Sequence, residues 1–357
     1  MIDIIDLNKV FDNDYEALKS VNFHIDKGDL VCLLGPSGCG KTTILNLIAG
    51  LLTPTSGDIL FSQKSVLQSQ PKDRNIGFVF QNYALYPHMT VLENVMFPLT
   101  VGKNKIKKAI AKDKAIEYMK LTHIEDLANK KPGQLSGGQQ QRVAITRSLI
   151  QEPDILLLDE PLSNLDAKLR ITIREEIRKL VKKVGITTIF VTHDQEEAMS
   201  ISDKIILLNE GIIQQNDNPQ NLYLEPNNLF VAQFIGNPPI NLIEVQITDQ
   251  KLNLFGTEMN ISALNQQRIK KPLVDGVYQL GVRPEDFQIT NANSLCKAHI
   301  SEQELIGRDR ILKLTVQNQH LKALTNIEQK FENNKEIDLA INFDKAFIFT
   351  EQGERVY

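Results

Sequence analysis

The sequence contains no apolar run that approaches the roughly 18–20 residues needed to span a bilayer. It also has no excess of positive charge, because its formal net charge is −4, and this argues against DNA or RNA as a partner. Acidic residues occupy positions 3 and 6, where a secretory signal would carry bases before an apolar core. We therefore expect a cytoplasmic protein whose role at a membrane would depend on other chains.

Cysteine is scarce as well. Cys32, Cys39 and Cys296 are odd in number and have no spacing typical of metal ligands, which predicts reduced thiols in a reducing compartment. Cys39 differs from the other two because it lies beside Lys41 at the start of a predicted helix. We expect the pKa of its thiol to be lowered there, which would make Cys39 reactive towards alkylating agents without giving it a catalytic role.

A chain of 357 residues is long enough for two domains. Up to residue 235 the pattern predicts an α/β domain, in which an antiparallel β-meander over residues 1–30 is followed later by a helical insertion at about 90–150. Short continuous apolar runs predict the buried strands of this domain. These runs are residues 30–34, 76–80, 155–158, 187–191 and 205–208.

From residue 236 onwards the pattern changes to short apolar runs separated by turn residues, with few helical periods. We interpret residues 236–357 as a second domain, a small all-β barrel of the OB-like type. The predicted fold class is therefore an α/β core with an N-terminal β-meander and a helical insertion, followed by an all-β domain.

Residues 35–43 carry a phosphate-loop motif between a predicted strand and a predicted helix. They are Gly35, Pro36, Ser37, Gly38, Cys39, Gly40, Lys41, Thr42 and Thr43. The backbone N–H groups of such a loop converge on nucleotide phosphates, the Lys41 ammonium reaches the β and γ positions, and the Thr42 hydroxyl can bind Mg²⁺. We therefore expect a nucleoside triphosphate to bind here.

Polar side chains follow other predicted strands. Asp159 and Glu160 come directly after a buried strand, so that one carboxylate can hold Mg²⁺ while the other orients and deprotonates a water. Gln81 can reach the metal or this water, and His193 can hydrogen-bond the γ-phosphate and the water. We assign catalytic roles to Glu160, His193 and Gln81, and we expect Thr42, Gln81 and Asp159 to contact the metal.

A second glycine-rich turn precedes a predicted helix at residues 140–150. It reads Leu135, Ser136, Gly137, Gly138 and Gln139. Free N–H groups at a helix N-terminus attract anions, so this turn is a second phosphate site. If the two phosphate sites lie on separate lobes, one chain cannot close both on the same nucleotide. A head-to-tail pair of chains would sandwich each nucleotide between the phosphate loop of one chain and the second turn of the other.

Over about residues 1–235 these motifs resemble the ATP-binding subunits of ABC transporters. The resemblance is carried, in order, by the phosphate loop 35–42, Gln81, the turn 135–139, the acidic strand 155–160, residues 163–166 and His193. It implies ATP and Mg²⁺ as cofactors and places residues 163–166, with Asp166 among the cofactor-binding residues, at a dimer interface. It also implies an aromatic ring stacked on adenine, for which Phe11 matches best and Tyr15 is the alternative.

Longer stretches resemble the ATPases of carbohydrate importers, the group typified by the maltose importer. They are residues 80–89, 165–170 and 192–199, with a looser match at 238–242 and 281–285. This resemblance implies an ATPase that lies peripherally on the inner face of the cell membrane and pairs with a second copy of itself or a close paralogue. It further implies two membrane-spanning permease subunits and, indirectly, an extracytoplasmic solute-binding protein. The segment after Gln81 would receive a short helix of the permease.

The sequence leaves the cargo open. A sugar, an oligosaccharide or a sugar phosphate is expected, but residues 196–197 and 200–202 also occur in polyamine-type relatives. The all-β domain is also a candidate binding module for a cytosolic regulator. The DNA-associated ABC ATPases are disfavoured, because the stretch between Lys41 and Asp159 is too short for their coiled coils and shows no sustained heptads.

Overall fold

The computed structural model describes residues 1–101, 105–290 and 294–357. It divides into two compact units, residues 1–219 and 220–357. Each unit has its own cluster of buried apolar side chains. Within the described ranges, no helix combines the length and the apolar character that a membrane crossing requires.

The strands of the first unit form two sheets. In chain order they are β1 (Ile2–Val10), β2 (Glu16–Ile25), β3 (Leu30–Leu34), β4 (Ser56–Phe61), β5 (Lys64–Ser65), β6 (Ile76–Val79), β7 (Ile155–Asp159), β8 (Thr187–Val191), β9 (Lys204–Asn209) and β10 (Ile212–Asp217). The order β2-β1-β4-β5 makes an antiparallel sheet, and the order β10-β9-β3-β8-β7-β6 makes the central sheet.

The central sheet is parallel except for its edge strand β10, which pairs antiparallel with β9. All of β3 and β8, and β7 up to its last residue, are buried. A parallel strand covered on both faces needs apolar side chains throughout, which explains the continuous apolar runs in the sequence. The carboxyl ends of β3, β7 and β8 therefore open side by side at one edge of the sheet.

The helices of the first unit lie between these strands in the chain. They are α1 (Lys41–Ala49), α2 (Val91–Thr100), α3 (Lys108–Leu121), α4 (Gly137–Leu149), α5 (Ala167–Val184) and α6 (Gln195–Ile201), with 3₁₀ turns at Pro71–Asp73, Glu125–Leu127 and Pro132–Gln134. α2, α3 and α4 share an apolar cluster of their own, which makes the helical insertion a distinct lobe of the first unit.

The second unit begins with short helices and continues as antiparallel sheets. Its elements are α7 (Pro219–Leu224), α8 (Leu229–Phe234), β11 (Asn241–Thr248), β12 (Lys251–Leu254), β13 (Thr257–Asn260), β14 (Gly276–Val282), β15 (Phe287–Ile289), β16 (Cys296–Ile306), β17 (Asp309–Val316), β18 (Gln319–Asn326), β19 (Glu336–Ile341) and β20 (Phe347–Thr350). Short 3₁₀ turns connect them at Ile261–Ala263, Gln266–Arg268, Pro284–Asp286 and Phe343–Lys345.

The sheets of the second unit have the orders β13-β12-β11-β14-β20 and β15-β19-β16-β17-β18. Asn241 joins them, because its amide N–H₂ donates to the Val282 carbonyl at 3.1 Å and to the Lys322 carbonyl at 2.9 Å. The predicted fold class is confirmed, with an α/β core, an antiparallel N-terminal sheet, a helical insertion and a C-terminal all-antiparallel region. The domain boundary after residue 235 stays a prediction.

Candidate active site

The phosphate loop joins β3 to α1 and uses backbone conformations that favour glycine. Gly35 has a φ of +152° and Gly40 has a φ of +107°. A Cβ atom on Gly35 would lie 2.2 Å from the Leu208 carbonyl oxygen of β9, so a larger residue would push the loop off the sheet. The loop is thus fixed at the N-terminus of α1, where free N–H groups suit a phosphate.

Lys41 is the first residue of α1 and is only 5% exposed. Its Nζ donates to the carbonyl oxygens of Gly35 and Pro36, both at 2.8 Å. Hydrogen bonds to ionised acceptors are stronger than those to neutral carbonyls, so a phosphate oxygen would compete well for this ammonium. The loop therefore carries a cation at its centre.

Cys39 departs from the sequence-based expectation. Its side chain is 3% exposed, and burial raises the pKa of the thiol while the nearby Lys41 ammonium lowers it less. The Lys41 Nζ lies 3.8 Å from the Cys39 Sγ. The expected lowering of the pKa is wrong, because desolvation of the thiolate outweighs the attraction to Lys41. The predicted reactivity towards alkylating agents loses its basis.

Thr42, in the first turn of α1, faces Asp159, the last residue of β7. The Thr42 hydroxyl donates to Asp159 Oδ1 at 3.4 Å. Burial raises the pKa of the Asp159 carboxyl, and the neighbouring Glu160 raises it further. A hydroxyl beside a carboxylate is an oxygen donor set that fits Mg²⁺, which takes few protein ligands and completes its shell with water and phosphate oxygens.

Glu160 is the centre of a cluster of polar side chains from three strand ends. Gln81 Nε2 donates to Glu160 Oε2 at 3.2 Å, and His193 Nδ1 lies 3.2 Å from Glu160 Oε1. Glu160 itself has a φ of +43°, which is uncommon for a residue with a Cβ, and its N–H donates to the Val191 carbonyl at 3.1 Å. The structure brings together the side chains for which the sequence predicts catalytic roles.

Ser163 and Asn164 hold this cluster in place, a function that the sequence analysis missed. The Asn164 side chain donates to the Gln81 carbonyl at 2.9 Å, and the Ser163 hydroxyl donates to the Glu160 carbonyl at 2.9 Å. Ser163 Oγ also accepts from Gln81 Nε2 at 3.4 Å. The motif at residues 163–166 marked this loop, but nothing in the sequence shows that it also binds the backbone of Gln81 and Glu160.

The turn at residues 135–139 begins α4 three residues earlier than the sequence predicts, at Gly137 rather than at residue 140. Ser136 is the N-cap, and it forms a capping box with Gln139: the Ser136 N–H donates to Gln139 Oε1 at 3.0 Å and the Gln139 N–H donates to Ser136 Oγ at 3.4 Å. A Cβ on Gly137 would lie 2.8 Å from Leu165 Cδ2. The turn thus packs on the loop at residues 163–166 of its own chain.

Comparison with known proteins agrees with this geometry. The family model described as "ABC transporter" matches residues 18–163. The chain is 39% identical to the trehalose/maltose import ATP-binding protein MalK of Thermococcus litoralis, over 97% of this chain and 96% of the relative. The chain belongs to the ABC transporter family. The resemblance to its ATP-binding subunits is confirmed, and the phosphate loop is that of an ATPase.

Two further relatives extend the comparison. The ABC chain is 37% identical to the sn-glycerol-3-phosphate import ATP-binding protein UgpC of Vibrio vulnificus, over 100% of this chain and 95% of the relative. A solved structure of the ATP-binding cassette MJ0796, a dimer in a post-hydrolysis state bound to ADP and Pi, superposes with a TM-score of 0.55 and 36% identity. It covers 61% of this chain and 99% of that cassette.

Asp166 of the ABC cassette caps a helix in this structure. It is the N-cap of α5, and its carboxylate accepts from the Leu169 N–H at 3.0 Å. The cap fixes where the loop at residues 163–166 ends and the helix starts. The contact of Asp166 with a nucleotide stays a prediction.

The two aromatic candidates for adenine stacking are neighbours. The rings of Phe11 and Tyr15 stack with centroids 6.5 Å apart. The Tyr15 hydroxyl donates to the Gly38 carbonyl at 3.1 Å, and Tyr15 lines a cavity of about 420 Å³ beside the phosphate loop, with Pro36, Ser37, Gly38 and Cys39. Tyr15 thus lies beside the loop with the Phe11 ring stacked on it, and the choice between the two rings stays open.

Proposed function

We propose that this chain is the ATP-hydrolysing subunit of an importer, working as a head-to-tail dimer on separate membrane subunits. The observation that carries the proposal is the cluster of Gln81, Glu160 and His193 at the strand ends beside the phosphate loop. The two oxygens of the Glu160 carboxylate lie within hydrogen-bond distance of Gln81 and His193, and a carboxylate held in this way can act as a general base towards water. A cluster of this kind serves hydrolysis rather than nucleotide binding alone.

The roles within the site follow from the side-chain chemistry. Lys41 and the N–H groups of the loop bind the β and γ phosphates. Glu160 orients and deprotonates the attacking water, and His193 holds Glu160 and contacts the γ-phosphate. Gln81 reaches the metal or the attacking water. Thr42, Asp159 and Gln81 would hold Mg²⁺, which neutralises charge on the phosphates when bound.

The dimer is supported by the second phosphate site. The N–H groups of Ser136 and Gln139 each donate to the side chain of the other residue. The N–H groups of Gly137 and Gly138 lie in the first turn of α4, where the helix itself offers them no acceptor. The turn packs on Leu165 of its own chain, and its amides would bind the γ-phosphate held by a second chain. The dimeric state of the MJ0796 cassette agrees with such pairing.

The cargo is inferred from the named relatives. One is named for trehalose and maltose import and another for sn-glycerol-3-phosphate import, so we propose a sugar, an oligosaccharide or a sugar phosphate. Two permease subunits and an extracytoplasmic binding protein would select it, with the ATPase lying on the inner face of the membrane. A polyamine cargo is the alternative, and a regulator at the C-terminal unit is a separate proposal.

The dimer is tested with Glu160→Gln, which should bind ATP without turning it over. With ATP and Mg²⁺ this variant should have twice the monomer mass by light scattering after gel filtration, and adding Ser136→Arg should return it to a monomer that still binds ATP. A monomer in the first case would overturn the head-to-tail arrangement. Hydrolysis stimulated by maltose, glycerol phosphate or spermidine in the reconstituted transporter would then identify the cargo class.

A further inference from the structure

Arg170 links two loops of the active site. It lies one turn into α5, and its guanidinium donates to the Leu165 carbonyl at 3.2 Å, in the loop that holds Gln81 and Glu160. The same guanidinium donates to Asp194 Oδ2 at 3.5 Å, on the residue after His193. One planar side chain with several fixed donors thus contacts both the 163–166 loop and the turn that carries His193.

Glu197 completes the turn from the other side. This carboxylate is 4% exposed, and its Oε2 accepts from the Thr192 hydroxyl at 2.6 Å. The Thr192 Oγ1 in turn accepts from the Asp194 N–H at 3.0 Å. Thr192, His193 and Asp194 are therefore closed into one hydrogen-bonded turn, and the direction of the imidazole depends on it.

A buried carboxylate is costly unless a positive charge lies nearby. Burial raises the pKa of the Glu197 carboxyl, and the Thr192 hydroxyl and Arg170 oppose that rise. The Arg170 Nε lies 3.4 Å from Glu197 Oε1, within ion-pair distance. Arg170, Glu197 and His193 also line one small cavity of about 50 Å³, together with Glu160 and Ser163.

We infer that Arg170 and Glu197 are positioning residues, which hold His193 against Glu160 and make its position depend on the 163–166 loop. Neither side chain is within hydrogen-bond distance of Glu160, so their effect passes through the Thr192–Asp194 turn. If a second chain displaces the 163–166 loop on closing, Arg170 would carry that displacement to His193. ATP hydrolysis would then require that the second chain is bound, even where nucleotide is already in the site.

The test compares ATP hydrolysis by the full chain, Arg170→Met, Glu197→Gln and the control Arg174→Met. Arg174 lies one turn further along α5 and donates to the Glu196 carbonyl of α6 at 3.3 Å, so it joins the same helices without touching the His193 turn. Arg170→Met and Glu197→Gln should lower kcat by about tenfold or more, with the KM for ATP changed less than about twofold, because a displaced group near the reacting atoms costs turnover rather than binding. Arg174→Met should match the unsubstituted chain.

Other outcomes are equally decisive. The positioning role of Arg170 and Glu197 rests on the ATP hydrolysis proposed above. An unsubstituted chain without turnover would contradict ATP hydrolysis itself. Normal kcat in both variants, measured beside an active unsubstituted chain, would overturn only the positioning role. Equal losses in Arg174→Met would show a general packing effect and also overturn it. If Arg170→Met does not fold, Thr192→Val and Thr192→Ser decide: the hydroxyl of serine should rescue kcat, and failure to rescue contradicts the inference.

Discussion

His193 Nδ1 lies 3.2 Å from Glu160 Oε1, although the two residues are far apart in the sequence. Their strands β7 and β8 are parallel neighbours, with Asp159 paired opposite Val191. The residues that follow those strands must therefore emerge beside each other. The register of the sheet thus aligns an acid and an imidazole at the edge where the phosphate loop also lies.

Glu160→Gln should abolish most ATP turnover while leaving ATP binding intact. The amide keeps the shape of the side chain and can still meet Gln81 and His193, but it cannot accept a proton from water. We expect kcat to fall at least about a hundredfold, the size typical of losing a general base. Phosphate release measures turnover and calorimetric titration measures binding. Glu196→Gln is the matched control, and near-normal turnover in Glu160→Gln would contradict the assigned role.

Lys41→Ala should remove tight ATP binding. The ammonium already lies inside the phosphate loop, 2.8 Å from two carbonyl oxygens, so the variant loses the one cation that the loop places against the phosphates. We expect ATP affinity to fall by about a hundredfold or more, since a charge-assisted hydrogen bond in a buried site is worth about 3 kcal/mol. Calorimetry with ATP measures it. The exposed Lys72→Ala should bind normally, and equal affinity in both variants would refute the loop assignment.

Much of the site is predictable because local motifs encode it. The loop at residues 35–43, the acids at the end of β7 and the turn at 135–139 each combine residue types with a strand or helix end. Arg170 and Glu197 are not predictable in this way, because their pairing depends on how α5 and α6 pack. Cys39 shows the same limit: the sequence reveals the neighbouring Lys41, but only the structure reveals the burial that dominates the pKa.

Asp159→Asn should stabilise the nucleotide-free chain at neutral pH. Burial, and next the charge of Glu160, raise the pKa of the Asp159 carboxyl in the folded state. A raised pKa favours folding below the unfolded value of about 3.9, and this contribution is lost as the pH rises through the folded pKa. At about pH 7 the charged carboxylate therefore opposes folding, and the amide does not.

The thermal midpoint of Asp159→Asn without nucleotide should accordingly exceed that of the unsubstituted chain at about pH 7. The difference should shrink as the pH falls through the folded pKa of Asp159, because the carboxyl then becomes protonated. Asp12→Asn, at an exposed turn, is the control variant. A midpoint below that of the unsubstituted chain at neutral pH would contradict the argument. Mg²⁺-dependent ATP binding should weaken in Asp159→Asn, because a metal ligand is lost.

Arg283→Met should loosen the second unit without affecting the first. The Arg283 side chain is 2% exposed, and its guanidinium lies 3.8 Å from the centroid of the Tyr223 ring. The guanidinium donates to the carbonyl oxygens of Tyr223, Ala232 and Ile235. Methionine fills part of the space but leaves these buried acceptors unpaired. We expect the free energy of opening of β14 to fall by about 3 kcal/mol, since each unpaired buried group costs about 1–3 kcal/mol.

Hydrogen exchange of the amides in residues 276–282 measures this free energy of opening. Arg308→Met, at a side chain that is 93% exposed, is the control. Unchanged protection in Arg283→Met would show that solvent or neighbouring groups satisfy those carbonyls instead.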